Sequence, residues 1–221
     1  MLPVGAGERI LRSPALPLRT TATSARSSAV DHQARHDELG AVPPLAWIGL
    51  ATIAYGRNVN VVVLADTHAM AASAPLPTEL IADLERADLI VHAGDIATVA
   101  FLDQLRRFAP VQAVYGNADE SELRRELPRR LKIEVLGRPL GVVHGDGAGG
   151  TTVGRARTAF GTDEVDVVVF GHSHFPYRAY AGRTLLFNPG SPTDRRLSPR
   201  FAYGRLLLNE LGRLTAGHVF I

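Results

Sequence analysis

The sequence has no cysteine among its 221 residues. Disulfides, thiolate metal sites and cysteine nucleophiles are therefore excluded. Any metal is left to His, Asp, Glu, Asn or backbone oxygen, a donor set suited to borderline or hard divalent ions. Lysine is nearly absent too, since Lys132 is the only one and the other basic residues are arginine. The formal net charge is +2, and from Arg57 onward 19 basic residues meet 18 acidic ones. A body this close to neutral, with only 6% aromatic residues, offers neither the electrostatic footprint nor the stacking platforms of a nucleic-acid binder. No run of 18 apolar residues occurs, so no membrane-spanning helix is expected. What remains, 46% hydrophobic and 21% charged, is the composition of an ordinary globular protein.

Residues 1–56 differ from the rest. Proline, serine, threonine and arginine recur there (Pro3, Pro14, Pro17, Ser24, Ser27, Ser28) without lasting periodicity, as in a disordered N-terminal extension. The Arg- and Ser-rich, acid-poor opening also has the composition of a transit peptide, although a plain tail or a misplaced start codon explains it as well. The apolar run Leu45 to Tyr55 is too short to span a membrane and too far in for a signal peptide. With no cysteine and no credible export signal, a cytoplasmic location is expected.

From Asn58 a regular alternation begins. A strand over 60–65 precedes a helix over 77–87, and a strand over 88–92 precedes a helix capped by Thr98. A third strand follows over 111–115. Strands alternating with helices of this length predict βαβ units and a largely parallel sheet. Segments 131–136 and 139–143 then flank Gly137 as an antiparallel pair. A helix over 151–160 leads to a strand over 165–170, and late strands are expected at 184–187, 202–208 and 216–221. The apolar strands read as buried on both faces, which predicts a two-sheet core covered by helices.

Five of these strands end in polar punctuation: Asp66-Thr67-His68, Gly94-Asp95, Gly116-Asn117, His144-Gly145 and Gly171-His172-Ser173-His174. Ligand crevices of open α/β sheets lie beyond the carboxyl ends of their strands, so these side chains can converge. Two carboxylates, four histidines and an asparagine exceed the needs of one ion and suit two divalent ions sharing a bridging carboxylate. By simple charge counting, two such ions against Asp66 and Asp95 leave about two positive charges. A hydroxide and a singly charged phosphodiester would neutralise them. The donor set thus points to phosphoester hydrolysis.

The ordered set D-x-H, G-D, G-N-x-D, H-G-D and G-H-x-H resembles the calcineurin-like metallophosphoesterases, and most closely their small bacterial and archaeal phosphodiesterase branch. The resemblance runs from about residue 58 to 221 and includes Asn188-Pro189-Gly190-Ser191. It implies a four-layer α/β/β/α sandwich of two mixed sheets flanked by helices, forming one metallophosphoesterase domain over 57–221. Asp66, His68, Asp95 and His174 would hold one ion and Asp95, Asn117, His144 and His172 the other, with Asp95 as the bridge. Asp95, Asn117 and His144 would be catalytic, and a metal-bridging hydroxide would attack a small or nucleotide-like phosphodiester. Manganese is the expected metal, with nickel, iron and zinc as alternatives. The chain departs from many relatives at Ala118, where a histidine would protonate the leaving group. Such protonation contributes about 10²–10⁴-fold, so slow turnover is expected unless the leaving group is good.

Other readings compete. A phosphomonoesterase, including a protein phosphatase, is the enzyme alternative, and Ala118 and the small size weigh against it. The retromer subunit of this fold is a non-catalytic scaffold, but a scaffold has no need of all seven ligands. Among the remaining polar residues, His92 is expected in the core, and Asp119 and Asp146 in turns or behind the ligating histidines. His32, His36 and His218 are expected at the surface or in the tail, and Arg195 and Arg196 on a solvated loop. A small-molecule substrate is expected, with no membrane partner; the sequence does not fix the oligomeric state.

Overall fold

The computed structural model describes residues 58–71, 74–161 and 164–221, so the expectations for residues 1–56 lie outside the described residues. Strand β1 (Val59–Leu64) reads V-N-V-V-V-L and is buried at every position but Asn60. Its alternate side chains serve two interiors. Val59, Val61 and Val63 join one hydrophobic cluster, while Val62 and Leu64 join another. A strand with apolar residues on both pleat faces belongs in the middle of a sheet covered on both sides. Helix α1 (Thr78–Leu84), β2 (Leu89–His92), α2 (Val99–Arg106) and β3 (Val111–Ala113) complete two parallel crossovers. Thr98 caps α2 as expected, its Oγ1 accepting the Phe101 N–H at 3.3 Å.

Helix α3 (Ser121–Glu126) leads into β4 (Arg130–Val135) and β5 (Arg138–Val143), which pair antiparallel about Gly137. Then come α4 (Thr152–Thr158), β6 (Val167–Phe170), β7 (Tyr177–Ala181) and β8 (Thr184–Asn188). The chain closes with β9 (Ala202–Leu208) and β10 (Leu214–Phe220). Two five-stranded mixed sheets result, in the orders β10-β9-β1-β2-β3 and β4-β5-β6-β8-β7. Each contains three neighbouring parallel strands, β1-β2-β3 ending at one edge of the first and β5-β6-β8 in the middle of the second.

The sheets pack face to face. Val61, Val63 and Val91 of the first meet Leu140, Val142, Val167, Val169 and Phe187 of the second in one core. On the far side of the first sheet, Leu80, Leu84, Phe101, Leu102, Leu105 and Leu123 bring α1, α2 and α3 against Val62, Leu64 and Ile90. On the far side of the second, Ala156 of α4 packs with Val168, Phe170 and Leu186. The architecture is the expected α/β/β/α sandwich.

Three details depart from expectation. Helix α3 and strand β7 were not anticipated: S-E-L-R-R-E is too short to show a period, and only Leu123 of it is buried. β7 is an edge strand with alternate residues exposed, so it lacks the continuous apolar signature of its neighbours. His218 is no surface residue. It lies on β10, half-buried, stacked 4.8 Å from the Phe187 ring and donating from Nε2 to the Asn188 carbonyl at 2.8 Å. Phe187 of the second sheet thus meets the first at His218 and over the bare backbone of Gly204, beside Val63. Phe187→Ala is expected to lower unfolding free energy by about 3–5 kcal/mol, as read from the urea midpoint at unchanged m-value.

Candidate metal centre

The five punctuated strand ends come from both sheets: β1, β2 and β3 from the first, β5 and β6 from the second. Backbone bonds lace them together. Asp66 N–H donates to the Gly94 carbonyl and His68 N–H to the Asp95 carbonyl, each at 3.0 Å. Gly171 N–H reaches the His144 carbonyl at the same distance. Within these loops Asp66, His68, Asp95, His172 and His174 all adopt left-handed backbone, with φ between 46° and 69°. Non-glycine residues rarely occupy that region, and each costs on the order of 1–3 kcal/mol where strain is stored. Five such residues at one place, all of them sequence candidates, mark a site whose geometry outweighs local preference.

Glycines make the close approach feasible. A Cβ at Gly116 would lie 2.6 Å from the Asp95 nitrogen and collide with its Oδ1. One at Gly171 would sit 2.8 Å from Ala65 Cβ and 3.0 Å from Asp66 Oδ2.

All seven candidates meet here. Asp66, His68 and His174 present atoms within 4.8 Å of one another, and so do Asp66, Asp95 and His144. Asn117 and His172 adjoin them, paired by a 3.0 Å contact between Asn117 Oδ1 and His172 Nδ1, and the His172 N–H donates to Asp66 Oδ1 at 3.0 Å. His172 also stands edge-on to His144, centroids 5.2 Å apart.

Backbone carbonyls set the histidine tautomers. His144 Nδ1 donates to the Ala93 carbonyl at 2.8 Å, and His174 Nδ1 donates to the Asp194 carbonyl. A carbonyl only accepts, so in the neutral rings both Nε2 atoms carry lone pairs. The His144 Nε2 points at Asp95 Oδ2 from 3.2 Å, and the His174 Nε2 lies 3.8 Å from Asp66 Oδ1. His144 Nε2 and Asp66 Oδ2 are both buried without a hydrogen-bond partner. A neutral imidazole lone pair and a carboxylate repel each other unless a cation or a proton stands between them. Orphaned buried acceptors of this kind fit divalent metal.

The electrostatics agree. Burial raises Asp66 to about 7, with Asp95 adding to the rise and His144 opposing it. Burial also pushes Asp95 upward, but His144 and the Ala118 amide, which donates to its Oδ1 at 2.7 Å, outweigh that and hold it at about 2. His68, His172 and His174 are all lowered, burial being the first cause in each. Burial opposes protonation of His144 as well, yet Asp95 and Asp66 overcome it and raise this ring. Asp66 thus holds a proton near neutral pH, and His144 takes up a second proton more readily than a free imidazole; a bound metal displaces both.

The surrounding residues hold the ligand loops. His92 is fully buried, Nε2 3.0 Å from Thr67 Oγ1, and burial lowers it to about 3, so it stays neutral. Asp119 accepts from the backbone N–H of Gly116 and Ala97 at 2.7 Å and of Asp95 at 3.2 Å, shaping the loop. Asp146 pairs with Arg129 at 3.2 Å. Asn188 Nδ2 donates to the Gly171 carbonyl at 2.9 Å, and Ser191 Oγ donates to the Asp66 carbonyl at 2.7 Å. Arg195 bonds the Ser198 carbonyl, whereas Arg196 lies 3.5 Å from His68 Nε2 and 3.6 Å from Asp194. Sequence reasoning missed Ala93, Thr193 and Asp194, which act through backbone groups or brace backbone, and no side-chain pattern reports such contacts.

Two outcomes are expected. Gly116→Ala displaces Asp95 and weakens Mn²⁺ binding by at least about tenfold, whereas Gly217→Ala, with open space at its Cβ, leaves it unchanged in calorimetry. Binding also releases protons: Asp66 and His144 are raised when free and deprotonated when ligating, so apparent affinity falls as pH drops through about 7. Titrations in buffers of different ionisation enthalpy measure the protons released.

Residues 59–210 match the model of the calcineurin-like phosphoesterase superfamily domain. A probable metallophosphoesterase of Methanocaldococcus jannaschii is 34% identical over 142 residues, 64% of this chain and 72% of that one. Another from Methanothermobacter thermautotrophicus is 32% identical over 136 residues, 62% of this chain and 78% of its own. Among solved structures, vacuolar protein sorting 29 of Cryptosporidium parvum shares the fold at a TM-score of 0.59 and 15% identity, covering 74% of this chain and 98% of its own. The match over residues 59–210 and the two archaeal relatives agree with the strand-end chemistry: the chain belongs to the calcineurin-like phosphoesterase superfamily.

Proposed function

We propose that the chain is a metal-dependent phosphodiesterase acting on a small phosphodiester through two divalent ions, with manganese as the working metal. The observation that carries this reading is the pair of buried, unpartnered acceptors, His144 Nε2 and Asp66 Oδ2, at the junction of two donor clusters. Asp66, His68 and His174 would hold one ion, Asn117, His144 and His172 the other, with Asp95 shared. Asp66 belongs to both donor clusters, yet Asp95 is the better bridge. Its Oδ2 faces the His144 Nε2 lone pair at 3.2 Å and His68 Nε2 at 3.7 Å, whereas Asp66 meets His144 on its donating Nδ1 side at 4.0 Å. When bound, the ions would supply Lewis acidity and a nucleophilic water near neutral pH.

The chain's own groups do the rest. The carbonyls of Ala93 and Asp194 fix two imidazoles with Nε2 inward, and the Ala118 amide orients Asp95. The exposed Arg196 guanidinium, beside His68 and held by Asp194, supplies positive charge for a phosphoryl oxygen. Position 118 supplies a backbone amide but no acidic side chain, so the leaving group departs with little protonation from there. That favours esters with good leaving groups and a diester over a monoester. A scaffold role like that of the retromer subunit draws on the fold alone, and the five strained ligand positions argue against it.

Metal-stripped protein is expected to cleave bis(p-nitrophenyl) phosphate once Mn²⁺ is added, with lower kcat/KM for p-nitrophenyl phosphate and loss of both in Asp95→Asn. Folded, Mn²⁺-loaded protein silent on both esters would sink the hydrolase reading and leave the scaffold. Preference for the monoester would favour the phosphatase.

A further inference from the structure

Beside His68 the surface opens into a shallow, open groove of about 910 Å³, far more than a phosphate requires. Its walls come from the segment after β1 (Met70, Pro75, Leu76, Pro77) and from Phe201 and Ile221. Thr67 and His68 also line it, so it adjoins the metal centre at His68. Met70, two residues beyond His68, is 79% exposed and lines the groove. The charged residues of the wall are both acidic, Glu79 and Asp194, and no lysine or arginine lines it.

We propose that this groove receives an apolar aryl or alkyl substituent of the substrate, so that the phosphoryl group at the metal centre carries such a group rather than a second nucleotide or further phosphates. The inference rests on the phosphoesterase reading above. Continuity with His68 makes the substrate the occupant, since whatever is bound through its phosphoryl group at the metals must extend along an adjoining wall. The lining selects its chemistry. Apolar area removed from water stabilises at roughly 25 cal/mol per Å², while a phosphate deeper in the groove would face Glu79 and an Asp194 whose carboxylate already lies 3.6 Å from Arg196. Glu79 and Asp194 would accept from a sugar's hydroxyls, so a nucleoside ester is the competitor against which the apolar side chains of the wall are tested.

The test uses Mn²⁺-loaded protein and two non-hydrolysable probes, phenylphosphonate and methylphosphonate, compared by calorimetry, with the p-nitrophenyl diesters bearing methyl, phenyl or 5′-thymidyl as substrates. Phenylphosphonate is expected to bind at least about tenfold tighter than methylphosphonate, and the phenyl diester to exceed the thymidyl one in kcat/KM, mainly through KM. Met70→Glu should erase the phenyl advantage while leaving the methyl compounds unaffected, and Met70→Leu should retain it. Equal affinity for the two phosphonates, a preferred thymidyl ester, or an equal loss on all compounds in Met70→Glu overturns the groove assignment while leaving the phosphoesterase intact. Phosphonate discrimination without hydrolysis of any ester would instead overturn the catalytic reading and keep the groove as a binding site. Binding of neither phosphonate overturns the groove assignment whatever the hydrolysis result. A second copy or another part of the chain seated in the groove would appear as probe binding that weakens with protein concentration, which likewise overturns it.

Discussion

Two carboxylates, Asp66 and Asp95, lie side by side at 0% and 1% exposure, and the rest of the molecule is built around that fact. Buried charge is costly unless something opposite in sign accompanies it. Asp66 meets the cost in the metal-free state by holding its proton up to about 7, and Asp95 by leaning on His144 and the Ala118 amide. Neither arrangement uses the free Oδ2 of Asp66, and the inward Nε2 of His174 faces His68 Nε2 at 3.3 Å. A divalent cation would satisfy these atoms together, which is why the site reads as a metal centre rather than as a buried ion pair.

The two sheets give those side chains their mutual distances. Each ends its parallel strands at one edge, and the face-to-face core of valines, leucines and Phe187 brings the two edges within side-chain reach. The loops there are short and strained in backbone, but braced by Asp119, Asn188, Ser191 and Thr193, whose bonds go to loop backbone. Strain at the ligand positions is thus balanced by packing beneath them and polar bracing behind them. The apolar wall beyond His68 is not needed for that bracing, which is why its exposure carries information about what approaches the centre.

Much of the fold was legible because both strand faces are buried and apolar runs such as Val61–Leu64 and Val167–Phe170 are hard to place anywhere but in a covered sheet. Thr98 was legible because a cap acts locally. Helix α3 escaped notice because six residues show no helical period, and edge strand β7 because Y-R-A-Y-A places Tyr180 at an exposed position and so hides its alternation. His218 was misplaced for a different reason. Its neighbour, Phe187, is remote in sequence, and the stacking that buries it exists only when β10 and β8 are in place.

By itself the sequence determined the chemistry at hand: no thiolate, seven oxygen and nitrogen donors at five strand ends, and no acid at position 118. These are properties of residue type and order, which folding does not change. The tertiary structure decided where the lone pairs point, since His144 and His174 take their tautomers from the carbonyls of Ala93 and Asp194. It also decided which carboxylate stays protonated and what wall adjoins His68. Each of those depends on atoms distant along the chain that only the packing of two sheets brings together.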